Sequence, residues 1–342
     1  MLKLARHLLA FAFLAFSPLL LTGCLLDTGG PGTQSLVELQ AEPLAAVPWQ
    51  WGEIPGTAIT TSHYHIYTTI KDPTYQRLLA KVLEGAHERF LALNGLPSPA
   101  MNGPFDAYVF GDRSQWELYT RLKTGPEANT YLQISAGGFC RQGIFAGYDI
   151  GRESTLSVIA HEAFHQLSWF TFKDRLPSFL DEGFATQNEA IEWQGAVPIW
   201  VPERNYRRFQ ALRLALHENR LWTIDELTAT HAGKVIVLSQ KHVDAYYAQI
   251  WSLLLFLEHS HYRANLQDLL ARAREGRLTQ SLAGTGVGPF DIANYTERWN
   301  QTAGPVYLRK FIASDPKKLE QEYLHFIHDL TDNWPPRLPE GG

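Results

Sequence analysis

Residues 158–166, Val-Ile-Ala-His-Glu-Ala-Phe-His-Gln, constrain this chain more than any other stretch. His161 and His165 are four apart, so on a helix they project from one face, one turn above the other. Two imidazoles placed in this way can reach one zinc ion. Glu162, about 100° around the helix from His161, sits close enough to take a proton from water at such a site without being a ligand. Leu156, Ile159, Ala160, Phe164 and Leu167 supply apolar contacts around the same helix, and Ser154 is placed to cap its N-terminus. The pattern predicts a buried helix over 154–172.

A second piece follows after a break at Lys173-Asp174-Arg175-Leu176-Pro177, where Pro177 suits the first turn of a new helix, predicted over 177–193. Glu182 lies 17 residues beyond His165, on a helix that can fold back against the first. A catalytic zinc site uses three protein ligands and keeps one position open for water, and Glu182 completes that set. Gly183 leaves room for close approach of helices beside the metal.

HEAFHQ followed by LPSFLDEGFA resembles the gluzincin metallopeptidases, in which an HExxH helix is joined by a glutamate from the next helix. The nearest likeness is to the peptidase-MA-like branch of secreted bacterial proteins. The ligand motifs cover residues 154–193, and a looser likeness runs from about 59 to 260. The resemblance implies one Zn²⁺ held by His161, His165 and Glu182, with Glu162 as general base and a peptide or protein as substrate. It also implies an edge strand before the metal helix, and Ala136-Gly137-Gly138-Phe139 with Gly143 to Tyr148 occupy that position; the glycines serve equally as a hairpin turn. Aminopeptidases of the clan carry an acidic residue there. None stands between Ala136 and Gly147, which favours endopeptidase or specialised action. For the oxyanion donor the resemblance points to Tyr246-Tyr247-Ala248-Gln249, with Tyr247 preferred over Tyr246 and His231 a weaker candidate. Some gluzincins place an Asp four residues after the glutamate ligand to orient a histidine. Here that position is Thr186, so Asp181, Asn188 or a backbone carbonyl must substitute.

The rest of the chain reads as strands first and helices afterwards. Residues 59–70, ITTSHYHIYTTI, alternate like one strand, with His63, His65 and Tyr67 on one half-exposed face. Apolar groups from Leu78 to Leu91 mark a helix over 73–93. Phe105–Phe110, Tyr131–Ser135 and Gly143–Tyr148 are further strand candidates, and 114–123 reads as helix. Beyond 193 the helical segments are 203–219, 245–260, 263–275 and 316–330. This order predicts an α+β fold, gluzincin-like, with a strand-containing subdomain 58–150, a helical subdomain 151–342 and the metal helix at the junction. Arg204, Arg207, Arg208 and Arg213 read as a solvated helix face, and the histidines at 259, 261, 325 and 328 as solvated helix positions.

The N-terminus concerns location. Lys3 and Arg6 precede an apolar run, Leu8 to Leu21, that Pro18 interrupts and that is short for a membrane-spanning helix. Its end, Leu21-Thr22-Gly23-Cys24, resembles the bacterial lipobox. That resemblance implies a signal peptide over 1–23, lipidation of Cys24 and a membrane anchor, and Leu25, not Asp, implies the outer membrane facing the periplasm. Residues 24–57 are expected to be a lipidated, flexible tether. The chain has two cysteines, so Cys140 is left as a lone, small, buried hydrophobe and no disulfide is expected. The net charge of −5 speaks against nucleic acid as a partner. Two functions follow: hydrolysis of peptide bonds by an envelope zinc enzyme, or a non-catalytic envelope binding or assembly protein on the same scaffold. Hydrolysis of a cell-wall amide is a weaker third.

Overall fold

Along Tyr64–Thr68 and Phe105–Phe110 buried and half-exposed side chains alternate, the period-two signature of strands with one covered face. They lie at the centre of a six-stranded sheet in a computed structural model that describes residues 44–94, 103–134 and 137–335. The N-terminal half runs β1 (Ala46–Trp51), β2 (Ile54–Thr60), β3 (Tyr64–Thr68), α1 (Pro73–Asn94), β4 (Phe105–Phe110), α2 (Arg113–Thr124), α3 (Ala128–Tyr131), β5 (Gly138–Arg141) and β6 (Ile144–Tyr148). The sheet order is β1-β2-β3-β4-β6-β5. β3, β4 and β6 are mutually parallel, and the other pairs are antiparallel.

A mostly helical half follows. It comprises α4 (Arg152–Thr171), α5 (Ser178–Thr186), a hairpin of β7 (Ile191–Gln194) and β8 (Val197–Trp200), α6 (Tyr206–His217), α7 (Ile224–Thr228), α8 (Ala232–Val235), α9 (Gln240–Glu258), α10 (Arg263–Glu275), α11 (Pro289–Asn294), α12 (Glu297–Tyr307) and α13 (Pro316–Asp332). The α+β order expected from the sequence is therefore present. Among the described residues no helix is long and apolar enough to cross a membrane. The signal peptide, Cys24 and most of the expected tether lie outside the described residues.

Several local expectations are corrected. The sheet begins at Ala46, inside the stretch read as a tether, because Val47 to Trp51 pair along the whole of β2. The single strand expected over 59–70 is two. The chain reverses at Thr61–His63, where the Thr61 amide donates to the Tyr64 carbonyl (2.9 Å) and the Thr61 hydroxyl accepts from the Tyr64 amide (3.0 Å). His63 thus lies in a turn, with Nδ1 2.7 Å from Glu84. The strand expected at 131–135 is absent among its described residues; Ala128–Tyr131 is a helical turn and the strand is β5. The helix expected over 177–193 stops at Thr186, and Ile191 onward forms the β7–β8 hairpin.

α4 leaves the sheet just after β6 and lies between α1 and α5. Gly151, at φ 96°, precedes its first residue, so Ser154 falls inside the first turn and does not cap it. Every residue from Val158 to Ser168 is buried, as expected for a helix covered on all sides. Phe164 fixes both neighbours, its ring 5.5 Å from Phe90 of α1 and stacked at 5.6 Å on Phe184 of α5. Truncating such a side chain typically costs about 3–5 kcal/mol. On the other side of α5, a Cβ at Gly183 would run into Leu254 of α9. The close approach expected at Gly183 is present, against α9.

Candidate metal centre

Three ligand atoms converge where α4 and α5 meet. His161 Nε2 and His165 Nε2 are 3.2 Å apart, and Glu182 Oε2 is 3.3 Å from the first and 3.5 Å from the second. Bonds of about 2.0–2.1 Å to one tetrahedral ion set neighbouring ligand atoms roughly 3.3 Å apart. The triangle therefore has the dimensions of three corners of such a site. All three residues are buried.

The histidines are oriented from behind. His161 Nδ1 lies 2.9 Å from Glu189 Oε1, and His165 Nδ1 lies 3.2 Å from Asp181 Oδ2. A carboxylate only accepts, so at His161 the proton belongs on Nδ1 and the Nε2 lone pair faces the shared point; at His165 Asp181 is an ion-pair neighbour of an Nδ1 that makes no hydrogen bond. Burial lowers the pKa of both imidazoles, but Glu182 and Glu189 outweigh it at His161, and Asp181 and Glu182 outweigh it at His165. Both end raised, so the carboxylates draw positive charge to this point.

Glu162 completes the centre. It is 0% exposed, and neither carboxylate oxygen has a hydrogen-bond partner in the protein. Burial pushes its pKa up to about 7, against the opposing pull of His165 and His161. A buried carboxylate without a partner is costly, and this one stands beside three converging ligand atoms of which Glu182 Oε2 is itself unbonded. The residues present fit a divalent cation with a water molecule next to it.

Glu189 was not foreseen. It follows Glu182 by two helical turns, beyond the end of α5, and accepts from Arg208 Nε (2.8 Å) and Nη2 (2.6 Å) and from Asn205 Nδ2 (3.0 Å). Burial raises its pKa, but Arg208 and then His161 hold it well below the usual carboxylate range. Arg208, read from the sequence as solvated, is 1% exposed. Arg204 and Arg213 do lie at the surface, Arg204 pairing with Glu192 at 3.0 Å. Gln166 was overlooked as well. Its amide donates to the Asp106 carbonyl of β4 (2.8 Å) and the Gly143 carbonyl (2.7 Å), pinning the metal helix to the sheet.

A cleft of about 670 Å³ reaches the centre from the His165 side. His165 and Asp181 form part of its wall, with Cys140 and Arg141 of β5, Trp169 of α4 and Tyr295 from the C-terminal helices. β5 is the edge strand of the sheet, so the edge expected before the metal helix is formed by 138–141, and 144–148 lies one strand further in. Cys140 is a free, buried cysteine whose thiol is pushed up by burial. Tyr247 packs under Arg208. Its ring lies 4.9 Å beneath the Arg208 guanidinium, and neither it nor Tyr246 lines the cleft. The Tyr246 hydroxyl is 3.2 Å from Ser178 Oγ, and His231 is paired with Glu297 at 2.5 Å. The tyrosines that do line the cleft are Tyr131 and Tyr295.

The site and fold define a class of protein in which an α+β scaffold buries two histidines and a glutamate with the spacing of metal ligands. No protein-family model matches the chain, and no curated protein matches it in sequence.

Proposed function

We propose that this protein is a zinc-dependent hydrolase of peptide bonds, gluzincin-like, anchored in the bacterial envelope through lipid on Cys24. The observation that carries the reading is the unpartnered carboxylate of Glu162, buried beside three converging ligand atoms. His161, His165 and Glu182 would hold the ion. A zinc ion bound there supplies Lewis acidity and lowers the pKa of water it binds. Glu162 takes the proton of the attacking water and returns it to the leaving amine, the role of a general base. Glu189 keeps the His161 imidazole in the ligating tautomer, and Asp181 lies beside that of His165. The edge of β5 offers backbone groups to an extended chain entering the cleft. Tyr247 acts here through Arg208, as a positioning residue, since its ring carries that guanidinium.

The experiment is to load purified protein with zinc and compare turnover of a mixed peptide library with that of Glu162→Gln. We expect about one zinc per chain in both and a loss of roughly 10²–10⁴-fold in the variant. Equal turnover with zinc retained would remove the enzyme reading. It would favour the second one, a non-catalytic envelope protein with structural zinc, to which the near-complete burial of all four residues lends weight.

A further inference from the structure

The charged groups of the cleft differ in how they are engaged. Its acids are already engaged: Asp174 accepts from the amides of Leu278 (2.6 Å) and Thr279 (3.1 Å) and the Thr279 hydroxyl (2.6 Å), and Asp181 serves Ser168 and His165. Of its cations, Arg141 is paired with Glu127 at 3.1 Å. Lys173 and Arg175 are different. Among the described residues neither has a hydrogen-bond or ion-pair partner, and the Arg175 guanidinium rests 4.8 Å over the ring of Tyr295. A guanidinium on an aromatic face keeps its donor edge open to a ligand. Two cationic side chains without a hydrogen-bond partner therefore stand in a cleft whose wall includes His165, with Asp181 the carboxylate nearest in effect to Arg175.

Tyr295 itself ends α11, its amide donating to the Asp291 carbonyl. Tyr295 has φ 49°, a left-handed conformation that a bulky residue rarely holds. It is kept there by Asn300 Nδ2, which donates to its carbonyl at 2.9 Å, and by Trp299, whose ring meets its own at 5.0 Å and 75°. Backbone strain that persists is held by its surroundings and concentrates at binding sites.

Resting on the peptidase reading above, we propose that Arg175, seated on Tyr295 and assisted by Lys173, is the specificity determinant of this protein, and that the cleft takes a peptide carrying a carboxylate. That carboxylate comes either from an Asp or Glu side chain within the substrate or from its free C-terminus. Arg175 binds it by paired N–H donors, while Trp169 and Tyr295 cover the adjacent apolar part of the peptide.

The test uses the zinc-loaded full chain and four versions of one peptide, with internal Glu or Gln and with a free or amidated C-terminus. Wild-type kcat/KM should favour one carboxylate-bearing version by roughly 10- to 100-fold, the scale of hydrogen bonds to a charged group. Preference that follows Glu assigns the side chain, and preference that follows the free terminus assigns the C-terminus. Arg175→Glu should reverse the preference toward a Lys-containing peptide, which mere loss of packing would not do, and Arg175→Lys should restore part of it. Binding of the same peptides to Glu162→Gln, read by tryptophan fluorescence, separates the two readings: with no turnover in wild type, a carboxylate preference in binding that Arg175→Glu reverses still supports the charge assignment. Equal binding and equal turnover of all four peptides would overturn it, while leaving a less selective peptidase in place.

Discussion

His161 and His165 are the same ligand one turn apart on α4, yet their far sides are built in opposite ways. Behind His161 lies a sealed chain of charge: Glu189 is held by both edges of Arg208 and by Asn205, and Arg208 is covered by Tyr247. Behind His165 stands Asp181 alone with Ser168, on the wall of the cleft. The sealed side makes one arrangement rigid, and the other leaves a ligand within reach of a substrate. The lesson is that one candidate metal centre divides support and access between its two histidines.

That division predicts unequal responses. The largest effect belongs to the sealed side. Arg208→Met leaves Glu189 buried without its counter-charge, and stability should fall by about 3–5 kcal/mol in chemical denaturation; a loss below 1 kcal/mol would erase the contrast. Asp181→Asn removes the cleft-side partner while leaving a polar group of the same shape. Zinc affinity should fall by roughly 10- to 100-fold in competition with a chelator, with little change in unfolding midpoint of the metal-free protein. Should Asp181→Asn unfold the protein as readily as Arg208→Met, the two sides are not different in kind.

A further effect tests the outer layer of the sealed side. Arg89 donates to Asn188 Oδ1 (2.9 Å), next to Glu189, and its charge lies near Glu258 at the end of α9. Burial nevertheless pushes the Glu258 carboxyl up to about 7, against Arg89 and Arg263. The folded protein therefore holds a proton there that the unfolded chain releases near pH 4.5. Stability should decline as pH rises from about 4.5 to 7 and level off above. Glu258→Gln should remove that decline, raising stability at pH 8 and leaving it unchanged at pH 4; parallel curves for both proteins would refute the shift.

How much of this was legible follows from distance along the chain. His161, Glu162 and His165 are fixed by helical spacing, and Glu182 by a short return, so local pattern found the centre. Glu189 and Arg208 were missed because their meaning lies in a contact between α6 and the end of α5, and an Arg on a helix reads as solvated until its partner is known. The β2–β3 reversal was missed because Thr61-Ser62-His63 lacks the glycine or asparagine that marks most tight turns. β1 was hidden by the composition of its neighbourhood, where Pro48 and the preceding small residues suggest a linker. The helix carrying Tyr247, expected over 245–260, begins five residues earlier, at Gln240, because its first turn is polar and gives no apolar period.

The nearness of the ligands in sequence has a kinetic consequence. His161 to Glu189 spans a single short segment, and only 17 residues separate His165 from Glu182. Closing so small a loop is inexpensive in entropy, and contacts this local form early in folding. The three ligands can therefore meet before α6 and α9 have docked. In the proposed zinc protein, a metal captured at that stage favours the folded chain over its alternatives, so zinc supply during folding should govern how much native protein is obtained.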